Sequence, residues 1–293
     1  MSETLSALPL FSPFIEFGFM RRALAGCLAL SLGATPVGVF LMLRRMSLAG
    51  DAMSHAILPG AAIGYLLAGL SLPAMTLGGL VAGLAVALLA GGVARHTVIK
   101  EDASLATFYL LSLSGGVLII SLRGSSVDLL HVLFGSVLAL DDAALLLLAS
   151  FASLSLVALA LGLRLFVLEG CDPAFLARIS RLAPLAHYGF MILLVLNLVA
   201  GFHALGTLMA LGIMILPAAA GRLWVCHIGP LLLIAVGMAF VGSLAGLLLS
   251  YYVNLPAGPA IVLTLGALYL LSLAFGPLGP LASRWRSSWH FER

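Results

Sequence analysis

From residue 23 to residue 276 the chain is a train of apolar runs separated by short polar breaks, and this pattern constrains the fold more than any single motif. A helix needs about 20 apolar residues to cross the hydrocarbon core of a bilayer. Runs near that length fall at 23–43, 50–70, 74–94, 104–121, 143–163, 185–200, 207–221, 229–251 and 259–276. The sixth and seventh are short and joined by GFHALG, so the pattern predicts eight or nine spans. The runs are continuous rather than alternating, which argues against a transmembrane β-barrel. Only 9% of the residues are charged and 62% are hydrophobic. A soluble domain carries about 25% charge, so this chain cannot clothe a large soluble helical protein. The expected fold is all-α: a polytopic membrane protein, a helical bundle of eight or nine transmembrane helices. No soluble domain, low-complexity tract or internal repeat breaks the pattern, so residues 1–293 are read as a single transmembrane domain.

Basic residues set the orientation. Loops at 44–49, 95–103, 164–184 and 222–228, with the C-terminal tail, hold Arg44, Arg45, Arg95, Lys100, Arg164, Arg178, Arg181, Arg222, Arg284, Arg286 and Arg293. The opposite side holds Arg123, Arg21 and Arg22. Cytoplasmic loops carry the Lys/Arg excess, so the first set is expected inside, with the N-terminus outside and the C-terminus inside. Arg21 and Arg22 run against this, and an interfacial helix over 8–20 would hold them at the headgroups. The first 14 residues lack a basic start, so no cleavable signal is expected. The net charge of +3 lies in the loops and points to topology, not to nucleic acid. Cys27, Cys171 and Cys226 are far apart and form no CxxC, which excludes a disulfide scaffold or a thiolate zinc site. Paired glycines such as Gly78, Gly79 and Gly83 predict close helix packing. Pro36, Pro59, Pro217, Pro256 and Pro259 predict kinks or breaks.

The stretch Arg44 to Gly64, RRMSLAGDAMSHAILPGAAIG, sets an aspartate and a histidine into an apolar run. Asp51 and His55 are four residues apart, so on a helix they share a face one turn apart. An ionisable group inside a membrane span costs about 2.5–3.5 kcal/mol on insertion scales and needs a partner or a function. Two readings stay open from spacing alone. Asp51 caps the second helix, since aspartate is among the best N-caps, and His55 is a buried polar residue. Alternatively the two bind a metal, because carboxylate and imidazole suit both zinc and manganese.

The same stretch closely resembles the signature of the permease subunit of ATP-binding-cassette importers for zinc and manganese. FMRRALAG at 19–26, KEDASLATFYLLSLSGG at 100–116, VDLLHVLFGSVLAL at 127–140, DPAFLARIS at 172–180, LGTLMALGIMILPAAAGRL at 205–223 and LPAGPAIVL at 255–263 agree with the family in order. The resemblance implies that Asp51 and His55 are the metal-coordinating pair. It implies a homodimer with two ATPase subunits and a periplasmic or lipid-anchored metal-binding protein, set in the lipid of the inner (plasma) membrane as a multi-pass subunit. It implies no permanent cofactor: zinc, preferred on weak grounds, or manganese is the transported substrate. Where the family usually has glycine in the DPxFxxxxG loop, this chain has Ser180, which leaves the bend of that loop open.

The chain has no GxxxxGK[ST], so it is expected to be no enzyme and to borrow its ATPase from another polypeptide. Two inner segments are candidates for coupling to that motor. By resemblance to distantly related metal-chelate and vitamin importers, the first choice is 217–228, with Pro217, Gly221, Arg222 and Trp224. The second is 169–184, with Asp172 and Arg178. His203, in the predicted outer turn, and His131 are candidates for a secondary metal pathway. His96, His187 and His227 read as ordinary interfacial histidines. Ser125, Asp128 and His131 lie too close in sequence to be read as a hydrolase triad, which depends on fold geometry. The competing function is an ATP-independent secondary transporter of metal or protons, but such carriers often show related halves, and the DxxxH stretch has no second copy.

Overall fold

In the computed structural model, which describes residues 12–69, 71–122 and 140–280, every regular element among the described residues is a helix. They are α1 (Ser12–Glu16), α2 (Gly18–Leu43), α3 (Ser47–Ala68), α4 (Leu72–His96), α5 (Glu101–Leu122), α6 (Asp142–Cys171), α7 (Pro173–Ile179), α8 (Ala183–Leu205), α9 (Thr207–Arg222), α10 (Ile228–Val253) and α11 (Ala257–Phe275). Seven helices are long and apolar enough to cross a bilayer: α2, α4, α5, α6, α8, α10 and α11. α3 and α9 are the two outside that set. α9 has only 16 residues, and α3 has 22 but carries Asp51 and His55, which lower its hydropathy. The expectation of eight or nine spans thus counts one or both of these in addition to the seven.

The sixth run was expected to be short, but α8 continues to Leu205 and absorbs GFHAL as its last turn. A single residue, Gly206 at φ 90°, then reverses the chain into α9. A left-handed backbone at that point is open to glycine at little cost, which lets one residue do the work of a loop. Pro36, Pro59 and Pro217 lie inside continuous helices. Of the segment 8–20, where an interfacial helix was expected, the described part forms the short helix α1 and the start of α2, and Arg22, in the second turn of α2, reaches Asp142 at the start of α6 at 3.6 Å.

α2 and α8 form the axis of the bundle, each with 72% of its apolar window buried. α6 packs on both, α9 and α10 pack on α2, and α4 packs on α8. α3 lies against α4 and α5. Helix ends sort into two groups. The end of α2, the start of α5, the end of α6 and the start of α8 meet through side chains of Arg44, Glu101, Glu169 and His187. The ends of α9 and α11 meet through the bond from the Leu278 N–H to the Leu223 carbonyl, 3.0 Å. Arg44, Arg45, Arg95, Lys100, Arg178, Arg181 and Arg222 stand at or near these ends, which fits a cytoplasmic face, whereas Arg164, expected in a loop at 164–184, lies inside α6, because the helix continues to Cys171. Arg123 and the three arginines of the C-terminal tail lie outside the described residues. In a background with Cys171 and Cys226 replaced by serine, Lys100→Cys and Ser180→Cys are expected to resist a membrane-impermeant thiol reagent in intact cells. Labelling of both from outside would invert the topology.

Candidate functional site

α3 starts five residues earlier than a cap at Asp51 would require. Arg45 takes φ 59°, and the N–H groups of Arg45 and Met46 bond back to Met42 and Leu41, both at 3.0 Å. This tight turn lets the helix begin at Ser47 with Met46 as its N-cap and no side-chain cap bond. Asp51 is therefore the fifth residue of the helix and does not cap it. The capping reading is corrected by this one-turn offset: the free N–H groups belong to the first turn, before Asp51.

His55 Nε2 lies 3.7 Å from Asp51 Oδ1. The pair faces outward from α3, with the Asp51 side chain 62% exposed and that of His55 41% exposed on the single chain. Neither is a core residue, so the alternative of a buried, satisfied histidine also fails. Beside them, Leu48, Ala49, Asp51, Ala52, Asp102, Leu105, Ala106 and Tyr109 line a cavity of about 230 Å³ between α3 and α5. The rings of His55 and Tyr109 stand 6.2 Å apart. The inner side of α3 is fixed: Gly50 fits against Met214, Leu211 and Leu41, and Ser112 Oγ donates to the Ala56 carbonyl at 3.2 Å. Among the described residues no three His, Cys, Asp or Glu side chains gather as a metal site, so Asp51 and His55 stand as a pair, two short of the four ligands that zinc sites usually hold.

The other candidates scatter. His203 sits in the last turn of α8, its Nδ1 2.9 Å from the Val199 carbonyl of its own helix, and approaches neither Asp51 nor His55. His131 lies outside the described residues. Pro217 and Gly221 are buried inside α9, Arg222 ends it with Nη1 donating to the Cys226 carbonyl at 3.1 Å, and Trp224 is exposed beyond it. Asp172 is the N-cap of the separate helix α7, its Oδ1 accepting the Phe175 N–H at 2.9 Å, and Arg178 is in the last turn. Ser180 adopts an extended backbone and caps the other end, its N–H bonding to the Leu176 carbonyl and its Oγ accepting the Leu182 N–H. The bend after α7 needs no glycine here.

A known family covers most of the chain. The model of the ABC 3 transport family matches residues 16–276. The chain belongs to that family. The ABC 3 chain is 32% identical over 262 residues to the manganese import system permease protein ScaB of Streptococcus parasanguinis, covering 89% of this chain and 92% of that one. It is 31% identical over 263 residues to the manganese transport system membrane protein MntC of Listeria innocua, covering 90% and 92%. The solved PsaBC structure from Streptococcus pneumoniae, in complex with Fab, matches with a TM-score of 0.80 at 28% identity over 94% of this chain and 98% of that one. As an ABC 3 permease the chain is a multi-pass membrane subunit of the plasma membrane, with no catalytic activity of its own.

Sequence reasoning missed a second cluster. Arg44, Glu169 and His187 are buried together at the basic end, with Glu101 beside them. Burial lowers the pKa of the Arg44 guanidinium, and the carboxylates of Glu169 and Glu101 pull it back. His187 had read as an ordinary interfacial residue. The available signal was Glu169, an acid in the last turn of a long apolar run, where cations are the residues favoured by the helix dipole.

Proposed function

We propose that this ABC 3 permease is the metal-conducting subunit of an ATP-driven importer, that manganese is its first cargo and zinc the next, and that Asp51 and His55 hold the ion in transit. The observation that carries the reading is the outward-facing pair on α3. On a lipid-facing surface the two polar groups are costly. A second copy of the chain seated over that face removes the cost, and two-fold symmetry doubles the ligands to two carboxylates and two imidazoles. Oxygen and nitrogen donors without sulfur suit manganese and zinc, and both relatives described above carry manganese in their names. The sequence-based lean to zinc gives way to manganese on that ground. Eight or nine helices cross the bilayer in this reading, with α3 counted among them because it carries the site.

The partners proposed with an ABC 3 importer are two ATPase subunits inside and a metal-binding protein outside. The favoured docking element becomes α7 in place of 217–228. Pro217 and Gly221 are packed within α9, whereas α7 is a short, capped helix with Phe175 and Arg178 exposed at the basic end. A central aromatic anchor is worth about 2 kcal/mol, or about thirtyfold in affinity, so Phe175→Ser should weaken co-purification of the ATPase by that factor while Trp224→Ser changes little. The reverse pattern would return the docking site to 217–228. The test of function is uptake of radioactive manganese by proteoliposomes holding the complex, with unlabelled manganese, zinc or ferrous iron as competitor. Uptake without ATP, or competition by none of these, would sink the proposal.

A further inference from the structure

The basic end of the bundle holds four ionisable side chains from four elements. Arg44 follows α2 and leads into α3, Glu101 opens α5, Glu169 lies in the last turn of α6, and His187 is in α8. The side chains of Arg44, Glu169 and His187 are 6%, 5% and 7% exposed. Arg44 Nη2 is 3.9 Å from Glu169 Oε1, and its guanidinium carbon stands 4.2 Å from the centre of the Phe190 ring. The imidazole is set between two carboxylates: Nδ1 is 3.4 Å from Glu169 Oε1 and Nε2 is 3.2 Å from Glu101 Oε1. Gly91 makes room for it, since a Cβ there would stand 3.1 Å from Nε2.

The arrangement excludes a metal site. The two carboxylates approach opposite nitrogens of one ring, so a single ion cannot gather all three groups. His187 Nε2 and Glu101 Oε1 make no hydrogen bond at their 3.2 Å separation, so the ring stands between the two carboxylates as a close neighbour of each. Arg44 supplies buried positive charge against the two carboxylates. A buried carboxylate left without a counter-charge is strongly destabilising, so the balance matters more here than at a surface. The surrounding cavity of about 340 Å³ is also lined by Arg95 and Lys100, with Asp102 next to Glu101 on α5.

The cluster stands where the two functional regions meet. Glu169 is three residues from Asp172, the cap of α7. Arg44 begins the turn into α3, and Glu101 precedes Asp102, which lines the same cavity as Asp51. We propose that His187, set between Glu101 and Glu169, is a positioning residue that holds α5, the helix packed against the metal-bearing α3, to α6 at the root of α7. The link to transport rests on the reading of Asp51 and His55 as the metal pair and of α7 as the docking helix. The latch itself does not. The contacts, at 3.2–3.9 Å, are longer than the 2.7–2.9 Å of tight charge-assisted bonds, which suits a tie that must open during a cycle.

The test uses charge balance. In permease lacking Cys171 and Cys226, spin labels on Lys100→Cys and Arg178→Cys report the distance from the start of α5 to α7 in lipid nanodiscs without ATPase. The parent should give one narrow distribution. His187→Gln removes the ring that separates the Glu101 and Glu169 carboxylates and should at least double its width. Adding Glu101→Gln removes one of the two facing carboxylates and should restore the narrow distribution. In the full complex, manganese moved per ATP should fall about tenfold in the single variant and recover in the double. Should His187→Gln fail to accumulate, accumulation of the double variant at the parental level is the same expected rescue. An unchanged width in His187→Gln, a double variant as broad as the single, or loss of both proteins overturns the latch. If the widths behave as expected but the parent complex moves no manganese, the proposed function fails and the latch stands.

Discussion

Asp51→Ala is expected to lower manganese uptake by more than about a hundredfold while the amount of permease in the membrane stays unchanged. Outer-shell groups that merely orient a ligand cost about 10–100-fold in metal affinity when lost, so a direct ligand should cost more. The fold has little to lose. Asp51 is exposed on the single chain, makes no cap, and pairs with His55 Nε2 at 3.7 Å. Substitutions away from structural features usually stay within about 0.5 kcal/mol. Asp51→Asn isolates the chemistry further, because the amide keeps the shape and loses the charge that binds a cation. His55→Ala should match Asp51→Ala, and the double variant should be no worse than either, since each alone breaks the site. The measurement is initial-rate uptake in cells lacking other manganese routes, beside an immunoblot of the membrane fraction. Normal uptake by Asp51→Asn would show that the pair is not the transport site.

The pair was legible because its evidence is local. Four-residue spacing places two side chains on one helical face whatever surrounds the helix, and an aspartate in an apolar run is conspicuous by cost alone. Which face it occupies was not legible. The outward aim of Asp51 follows from Gly50 meeting Met214 and from Ile57 meeting Gly79 and Gly83, contacts far apart in sequence. The helix count was legible to within the two elements whose apolar runs are weakest, α3 and α9. The turn at GFHALG was expected, but that Gly206 alone makes it was not legible, because a glycine shows its left-handed backbone only once its φ is known. The ionic cluster was hidden for a related reason. Arg44, Glu101, Glu169 and His187 are spread over 143 residues of sequence, and each alone resembles an interfacial residue at a helix end. The cargo metal was beyond the residues, because carboxylate and imidazole donors serve zinc and manganese alike.

Gly60→Ala is expected to destabilise the permease by about 3 kcal/mol, the upper part of the usual range for overpacking, although it adds one methyl group. At this crossing α3 meets α4 backbone to backbone. A Cβ on Gly60 would collide with the Gly78 carbonyl and lie 2.6 Å from Ala82 Cβ, and a Cβ on Gly78 would collide with the Gly60 carbonyl. One turn further along, a Cβ on Gly64 would collide with the carbonyl of Ala74. A side chain can rotate away from an added methyl, but a carbonyl in a helix cannot without moving the helix. Small residues are what permit such approach in membranes, where no hydrophobic effect pushes helices together and packing contact has to hold them. Gly92→Ala is the control: it lies on the same α4, nothing stands within 4 Å of its would-be Cβ, and it should leave stability unchanged or raise it slightly. The two changes are compared by the midpoint of heat-induced loss of the monodisperse peak in detergent. Because α3 carries Asp51 and His55, Gly60→Ala should also lower uptake at the higher temperature more than at the lower one. In Gly60→Ala with Gly78→Ala the losses should be less than additive, since the first methyl already parts the helices. Equal midpoints for Gly60→Ala and Gly92→Ala would mean that α3 and α4 do not cross at backbone contact, and that the position of the metal pair is set by α5 instead.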